Sequence, residues 1–164
     1  MPPATEQIEQ QLVPMQEDSI EIDELCISNK NNQWLWTAVS RYSGQMLAYH
    51  VGDRTWGNVR MLWKKIPRCY RHRHVYTDGY GAYASFFPKW QHTVCDKGSG
   101  GTSTVEGVNN SLRHRCGALV RRTSARCRDL DLLPYRLGFT ISAHNRNTTN
   151  RLRKRFLAIQ NQRG

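Results

Sequence analysis

Three acidic residues lie at positions where a carboxylate is either unfavourable to bury or unusual among its neighbours. Asp23 lies in the apolar run Ile20-Glu21-Ile22-Asp23, where burying an acid is unfavourable unless it is paired or bound to a metal. Asp78 ends a β-branched segment and is followed by Gly79, which lets a partner approach the backbone closely. Glu106 follows a Gly-rich loop, and only two of the 58 residues after it are acidic. Together these acids could hold divalent cations.

A cluster of three carboxylates repels itself without cations, and carboxylate oxygens are ligands for Mg²⁺ or Mn²⁺. Two such ions, about 3.5–4 Å apart, can activate a nucleophile and stabilise the leaving oxygen of a phosphodiester. Each acid also has an ordinary structural interpretation. Asp78 could be the N-cap of a helix, and Glu106 a favourable charge in a first helical turn. The three acids together, in this order along the predicted elements, are stronger evidence for a metal site than any one of them alone.

The elements that would position these acids follow from periodicity and turn residues. Three strands come first and form a meander, and helices then alternate with two further strands. Pro67 ends the first helix, and we expect Pro134 to bend or interrupt the last helical region. In chain order the predicted elements are strands 19–28, 33–42 and 45–51, helix 55–66, strand 72–77, a short helix or turn 79–87, strand 91–95, helix 103–120 and a helical region 129–145.

Three antiparallel strands followed by helical crossovers predict a mixed five-stranded sheet with helices on both faces. This α/β arrangement is the ribonuclease H-like layout. In it the first and fourth strands are neighbours, and helix 103–120 packs beside them, so Asp23, Asp78 and Glu106 would converge. The buried stripe of that helix is predicted to be Val105, Val108, Leu112, Cys116 and Leu119.

The charge of the chain points to a polyanionic partner. Its 164 residues hold 24 Lys and Arg against 13 Asp and Glu, a net +11, which makes nucleic acid the first candidate. Residues 1–29 sum to −7, whereas residues 107–164 hold thirteen bases and two acids. No apolar run reaches the ~20 residues of a membrane span. Five scattered cysteines and the lack of a secretory signal favour a reduced, cytoplasmic setting.

The ordered motifs resemble transposases of the insertion-sequence-one family, in particular their InsB-like catalytic part. The resemblance runs from about residue 23 to residue 147. It rests on Asp23-Glu24, Thr77-Asp78-Gly79 with Tyr83, His92 before the loop, and Thr102, Glu106, Asn109 and Leu112-Arg113 on one helix. It also includes the segments Gln33-Trp34-Leu35-Trp36 and Leu47-Ala48-Tyr49-His50-Val51-Gly52, and His144-Asn145 near the end.

The resemblance implies a DDE-type recombinase that cleaves the ends of an insertion sequence and joins the freed 3′-hydroxyls to target DNA. Asp23, Asp78 and Glu106 would be its catalytic residues and metal ligands, holding Mg²⁺ or Mn²⁺, two ions in all. The partners would be terminal-repeat and target DNA, with the protein a homo-oligomer in the DNA complex and associated with a prokaryotic nucleoid. The expected DNA-binding residues are Lys97, Asn109, Arg113, Arg115, Arg121 and Arg122.

Two departures from the family pattern stand out. Gly107 replaces the usual basic residue after the third acid, and the loop 98–101 is Gly-rich and slightly long. We expect an acidic, Gln/Pro-rich linker over residues 1–18, the catalytic domain over 19–147 and a basic tail over 148–164. No zinc-finger or helix-turn-helix region is visible, so we expect an upstream product to supply it. The alternatives are a hydrolysis-only nuclease of the same fold and a non-catalytic DNA-binding regulator or inactive remnant.

Overall fold

The structure, a computed structural model, describes residues 8, 10–28, 31–96, 98–119 and 132–162. Its elements alternate as the sequence predicts. In chain order they are strands β1 (Ile20–Ser28), β2 (Gln33–Ser40) and β3 (Met46–Gly52), helix α1 (Trp56–Lys65), strand β4 (Val75–Thr77), helix α2 (Gly81–Phe86), strand β5 (His92–Val94), helix α3 (Ser103–Arg115) and helix α4 (Leu133–Asn161), with short 3₁₀ turns at Arg68–Tyr70 and Gly117–Leu119.

Within the described residues, the strands form one five-stranded sheet in the order β3-β2-β1-β4-β5. The pairs β1–β2 and β2–β3 are antiparallel, and the pairs β1–β4 and β4–β5 are parallel. The chain reaches the parallel strands β4 and β5 through crossover connections that contain α1 and α2. This confirms the predicted ribonuclease H-like topology and puts β1 at the centre.

Both faces of the sheet are covered, so β1 is buried on both sides. Successive residues of a strand point to opposite faces. Ile20 and Ile22 pack with α1 and α2 in one apolar cluster, whereas Leu25 and Ile27 pack with α3 and α4 in the other. The predicted burial is confirmed for all five positions: Val105, Val108 and Leu112 of α3 lie in that second cluster, as do Cys116 and Leu119 beyond the end of the helix.

Four strands are shorter than predicted, and in β2 and β4 turn hydrogen bonds replace the missing ends. β2 stops at Ser40, whose hydroxyl donates to Asp18 Oδ2 at 2.5 Å. β4 begins only at Val75. The residues before it form the 3₁₀ turn Arg68–Tyr70, and the N–H of Arg73 donates back into that turn at 2.9 Å.

The helices after the Gly-rich loop also differ from expectation. α3 ends at Arg115, because Cys116 takes an extended conformation before the second 3₁₀ turn. The expectation that Pro134 interrupts the last helix is wrong. Pro134 lies in the first turn of α4, where the missing N–H has no intrahelical partner to lose. The helix then continues to Asn161, and the predicted start at 129–131 lies outside the described residues.

The proposed domain boundaries stay predictions. α4 crosses residues 147–148 without a break, and Leu152 is still buried. Ahead of the sheet, Ile8 is buried in the core. The carbonyl of Gln11 accepts hydrogen bonds from Gln45 Nε2 at 2.8 Å and Thr149 Oγ1 at 2.9 Å. These contacts hold the start of the described chain against α4 and the residue that precedes β3. No described helix is long and apolar enough to cross a membrane.

Candidate catalytic site

The register of the central strands puts Asp23 and Asp78 side by side. β4 pairs in parallel with the start of β1, and the last paired residues are Ile22 and Thr77. Asp23 is the next residue of β1, and Asp78 directly follows the carboxyl end of β4. Ligand sites of α/β sheets gather at such ends. The two acids are close enough that the charge of Asp78 raises the pKa of Asp23.

Asp23 is held by an amide from α3. Asn109 is 4% exposed, and its Nδ2 donates to Asp23 Oδ2 at 2.8 Å. The hydroxyl of Thr37, which faces Asp23 across β1 and β2, lies 3.0 Å from Asn109 Oδ1 and 3.1 Å from the carbonyl oxygen of Asp23. Asn109 therefore fixes the carboxylate, and it has little surface left for DNA. Its expected DNA contact stays a prediction.

The environment of Asp23 disfavours its charged form. Burial is the main cause of a pKa raised from 3.8 to about 6, and the neighbouring charge of Glu24 adds to it. The hydrogen bond from Asn109 acts in the opposite direction without cancelling the rise. A carboxylate with a perturbed pKa beside the carboxyl end of β4 is a typical feature of a functional site.

Glu24 points to the opposite face of the sheet and has strong partners. Its Oε1 accepts hydrogen bonds from Arg54 Nε at 3.0 Å and Nη2 at 2.7 Å, and Tyr83 donates its hydroxyl to Oε2. The Arg54 guanidinium stacks on the rings of Trp34 and Tyr80, with centroids 4.6 and 4.4 Å away. Burial still raises the pKa of Glu24, against the effect of these bonds.

Glu21, also on β1, fastens the helix that bears the third acid. Its side chain is fully buried, and Oε2 accepts the N–H of Val105 in the first turn of α3 at 2.8 Å. Arg41 pairs with the other oxygen at 3.2 Å. A carboxylate at the N-terminus of a helix is favourable because the first N–H groups have no intrahelical partner.

Glu106 does not join the other two acids. It is exposed, and its Oε1 accepts the hydroxyl of Thr102 at 3.0 Å. Among the described residues there is no group of three His, Cys, Asp or Glu side chains arranged to hold a metal ion. Asp78, half-buried, accepts the N–H of Tyr80 at 3.0 Å in a local turn, although Tyr80 itself caps α2.

The comparisons with known proteins agree with this architecture. The family model described as IS1 transposase matches residues 19–147. The chain belongs to the IS1 transposase family. It is also 29% identical, over 117 residues, to insertion element iso-IS1n protein InsB of Shigella dysenteriae, an alignment that covers 71% of this chain and 86% of that protein.

A solved structure supports the fold of this IS1-family chain. The catalytic core domain of BIV integrase aligns with a TM-score of 0.54 over 76% of this chain and 81% of that one. The sequence identity is 15%, so the likeness shows the ribonuclease H-like fold alone.

The basic residues expected to bind DNA are only partly described. Arg113 is half-buried on α3, seven residues after Glu106, and Arg115 is exposed at the end of that helix. Lys97, Arg121 and Arg122 lie outside the described residues. Sequence reasoning gave no role to Arg41 or Arg54. Their signal was weak, because a surface arginine and one that neutralises a buried acid look alike in a sequence.

Proposed function

We propose that this IS1-family chain is a DNA transposase that cuts phosphodiester bonds at the ends of an insertion sequence and transfers the freed 3′-hydroxyls to target DNA. Asp23, Asp78 and Glu106 are its catalytic carboxylates. In the transfer step the 3′-hydroxyl oxygen forms a new bond to a target phosphorus atom. The bond from that phosphorus to the target's 3′ oxygen breaks, and the leaving oxygen takes a proton.

One contrast along β1 supports this proposal. Glu21 faces Arg41, and Glu24 faces Arg54, so both buried acids have a cationic partner. Asp23 lies between them, and its partner among the described side chains is the neutral amide of Asn109. Burial without a cation is unfavourable for a carboxylate. A cation from outside the protein, shared with Asp78, would remove that cost.

The donor set suits a hard divalent ion. Asp23 and Asp78 supply carboxylate oxygens, the ligands that Mg²⁺ and Mn²⁺ prefer. Glu106 lies on the same helix as Asn109, one turn away, and would complete the set when its side chain leaves Thr102. When bound, two such ions would activate the attacking oxygen and stabilise the leaving one. Asn109 orients Asp23, and Arg113, Arg115, Lys97, Arg121 and Arg122 contact the DNA backbone.

The test uses the full chain and a plasmid that carries the DNA bordering its coding sequence, with Mg²⁺ present. Joined products indicate transposase activity, and nicks alone indicate a nuclease. We expect Asp78→Asn to lower cleavage by more than the roughly 10–100-fold typical of lost outer contacts around a metal. Asp53→Asn, at an exposed aspartate before α1, is the matched control. Full cleavage by Asp78→Asn would refute the assignment.

A second candidate function is a non-catalytic DNA-binding regulator. The exposed position of Glu106 and its bond to Thr102 favour it, because they leave two acids together rather than three. The same assay separates the candidates. A regulator binds the end DNA and leaves it intact with either Mg²⁺ or Mn²⁺, and Glu106→Gln then changes nothing. For a transposase, Glu106→Gln abolishes cleavage, whereas Glu17→Gln, at another exposed glutamate, does not.

The remaining expectations concern partners. Binding the two ends of an element together requires at least two catalytic sites, so we propose that the chain is a homo-oligomer on DNA. An upstream zinc-finger and helix-turn-helix product would recognise the terminal repeats. Such a protein would act where the chromosome lies, in association with the nucleoid.

A further inference from the structure

A groove lies between α3 and α4, on a different side of α3 from Asn109. Its cavity has a volume of about 480 Å³. The polar residues that line it include Ser103, Ser111 and Arg115 from α3, and His144, Asn147 and Arg151 from α4. No aspartate or glutamate lines it among the described residues. We call it the α3–α4 groove.

The groove continues along the C-terminal half of α4. A second cavity of about 580 Å³ shares Asn147 and Arg151 with the first, and adds Lys154 and Arg155. From His144 to the far end of this surface at Ala158, the helix rises about 21 Å at 1.5 Å per residue. That length corresponds to about six base-pair steps of a DNA duplex, because each strand has one phosphate per 3.4 Å of the duplex axis. α4 holds six Lys and Arg and no acid over its whole length.

The cations of the groove lack counter-charges in the described part of the chain. The ion pairs found there, Arg41–Glu21 and Arg54–Glu24, belong to the sheet. Arg115 and Arg151 come from different helices, yet both lie close enough to His144 to help burial lower the pKa of its imidazole. Like charges gathered in this way repel each other, and a bound polyanion would relieve the repulsion.

The floor of the groove is open. Gly107 lines it, and a Cβ added there would meet nothing within 4 Å. Ser103, Gly107, Ser111 and Arg115 recur every four residues and so form one stripe of α3. Glu106, Asn109 and Arg113 form another stripe about 150° away around the helix axis. One helix therefore has a catalytic side and a basic side with hydroxyl groups.

We propose that the α3–α4 groove binds the phosphate backbone of duplex DNA outside the phosphodiester that is cut. This rests on the proposed function only in that DNA is the substrate. Arg115 and Arg151 hold the backbone at the level of α3, and Lys154 and Arg155 extend the contact along α4. The hydroxyls of Ser103 and Ser111 donate to phosphate oxygens. The contacts carry no sequence information, since phosphates and sugars are the same at every step.

The test compares two double variants with equal charge loss. Arg115→Ala with Arg151→Ala alters the groove, whereas Arg136→Ala with Arg146→Ala removes two exposed arginines of α4 that do not line it. Affinity for a duplex of arbitrary sequence is measured by fluorescence anisotropy in EDTA at several salt concentrations. Circular dichroism melting checks that both variants are folded.

Each lost phosphate contact lowers the salt slope by about 0.9, so the groove variant should lose about 1.8 from it. When the salt concentration rises fourfold, the affinity of the wild type should therefore fall by a factor about ten times larger than that of the groove variant. The control variant keeps the wild-type slope. Arg115→Lys with Arg151→Lys keeps the charges and should also keep the slope. Equal losses in the groove and control variants, or an unchanged slope in the groove variant, would overturn the proposal.

The result is independent of catalysis. Binding in EDTA needs no metal, and Asp78→Asn should bind with the wild-type slope. If the groove proposal fails, metal-dependent cleavage by the wild type is still expected. If cleavage is absent instead, the difference between the two double variants remains a valid measurement of where DNA binds.

Discussion

Replacing Asp23 by Asn should make the metal-free protein more stable. The side chain is largely buried, and burial raises its pKa from 3.8 to about 6. A factor of ten in an ionisation constant corresponds to 1.36 kcal/mol, so holding the anion in the fold costs about 3 kcal/mol near neutral pH. Asn has the same shape, its oxygen can still accept from Asn109, and it removes a like charge from beside Glu24 and Asp78. The expected gain at about pH 8 is up to ~3 kcal/mol.

The sign of the pH dependence follows from the two pKa values. In the unfolded chain Asp23 loses its proton near pH 3.8, and in the folded chain only near pH 6. Between these values the folded state binds the extra proton, so the contribution of Asp23 to stability falls as pH rises. Below about pH 4 both states are protonated and the penalty disappears. The gain from Asp23→Asn should therefore be near zero at low pH, grow through the window and level off above it.

The assay is urea unfolding of wild type and variant in EDTA at several pH values, then again with Mg²⁺. If Asp23 holds the cation, Mg²⁺ at about 100 times its dissociation constant stabilises the wild type by about 2.7 kcal/mol and leaves the variant unchanged. A variant less stable than wild type at about pH 8 in EDTA, or a difference that does not change with pH, would refute the reasoning.

Asp18→Asn is the matched control for this experiment. Asp18 is 4% exposed and accepts hydrogen bonds from the Ser40 hydroxyl at 2.5 Å and the N–H of Ser19 at 2.8 Å and Tyr42 at 3.0 Å. Those donors suit a carboxylate, so Asn should cost about 1–3 kcal/mol there. Opposite signs for Asp18→Asn and Asp23→Asn would show that the effect belongs to the site.

Two other substitutions test the packing around the site by urea unfolding. Gly107→Ala should stabilise the protein by about 0.5–1 kcal/mol, because Gly107 lies inside α3 and an added Cβ meets open space. A loss of stability would mean that other atoms cover this part of the helix surface. Arg54→Met should destabilise the protein more at about pH 8 than at about pH 5. The variant leaves Glu24 without its cation, and the raised pKa of Glu24 lets this carboxylate take up a proton as the pH falls. The same loss of stability at both pH values would show that Arg54 acts through packing and not through charge.

The topology could be predicted because local signals agreed with one another. The β-branched residues of β1 and β4, the turn residues between the first strands and Pro67 after α1 all fixed elements in their order. Once the order is known, handedness leaves few sheets to consider. The adjacency of Asp23 and Asp78 then follows from register alone, without any knowledge of side-chain contacts.

The partners of the buried acids could not be predicted. Glu21 and Glu24 appear in the sequence only as polar positions within a strand. The sheet is covered on both faces, so every acid of β1 needs a partner, and those partners come from distant segments: Arg41, Arg54 and Asn109. Nothing in the spacing of these residues shows that they meet. The burial of Asn109 was missed for the same reason, because an amide on a helix is usually exposed.

In the proposed site, Glu106 would join the other acids by rotation of its side chain rather than by movement of its helix. Glu21 holds the start of α3 through the N–H of Val105, and Asn109 holds the next turn through Asp23, so a shift of the helix would break two buried contacts. Rotating the Glu106 side chain breaks one part-buried hydrogen bond, to Thr102, which is worth only about 0.5–1.5 kcal/mol. Rotation of the side chain is therefore the less costly route by which the proposed third acid would join the site, on a helix that is already in place.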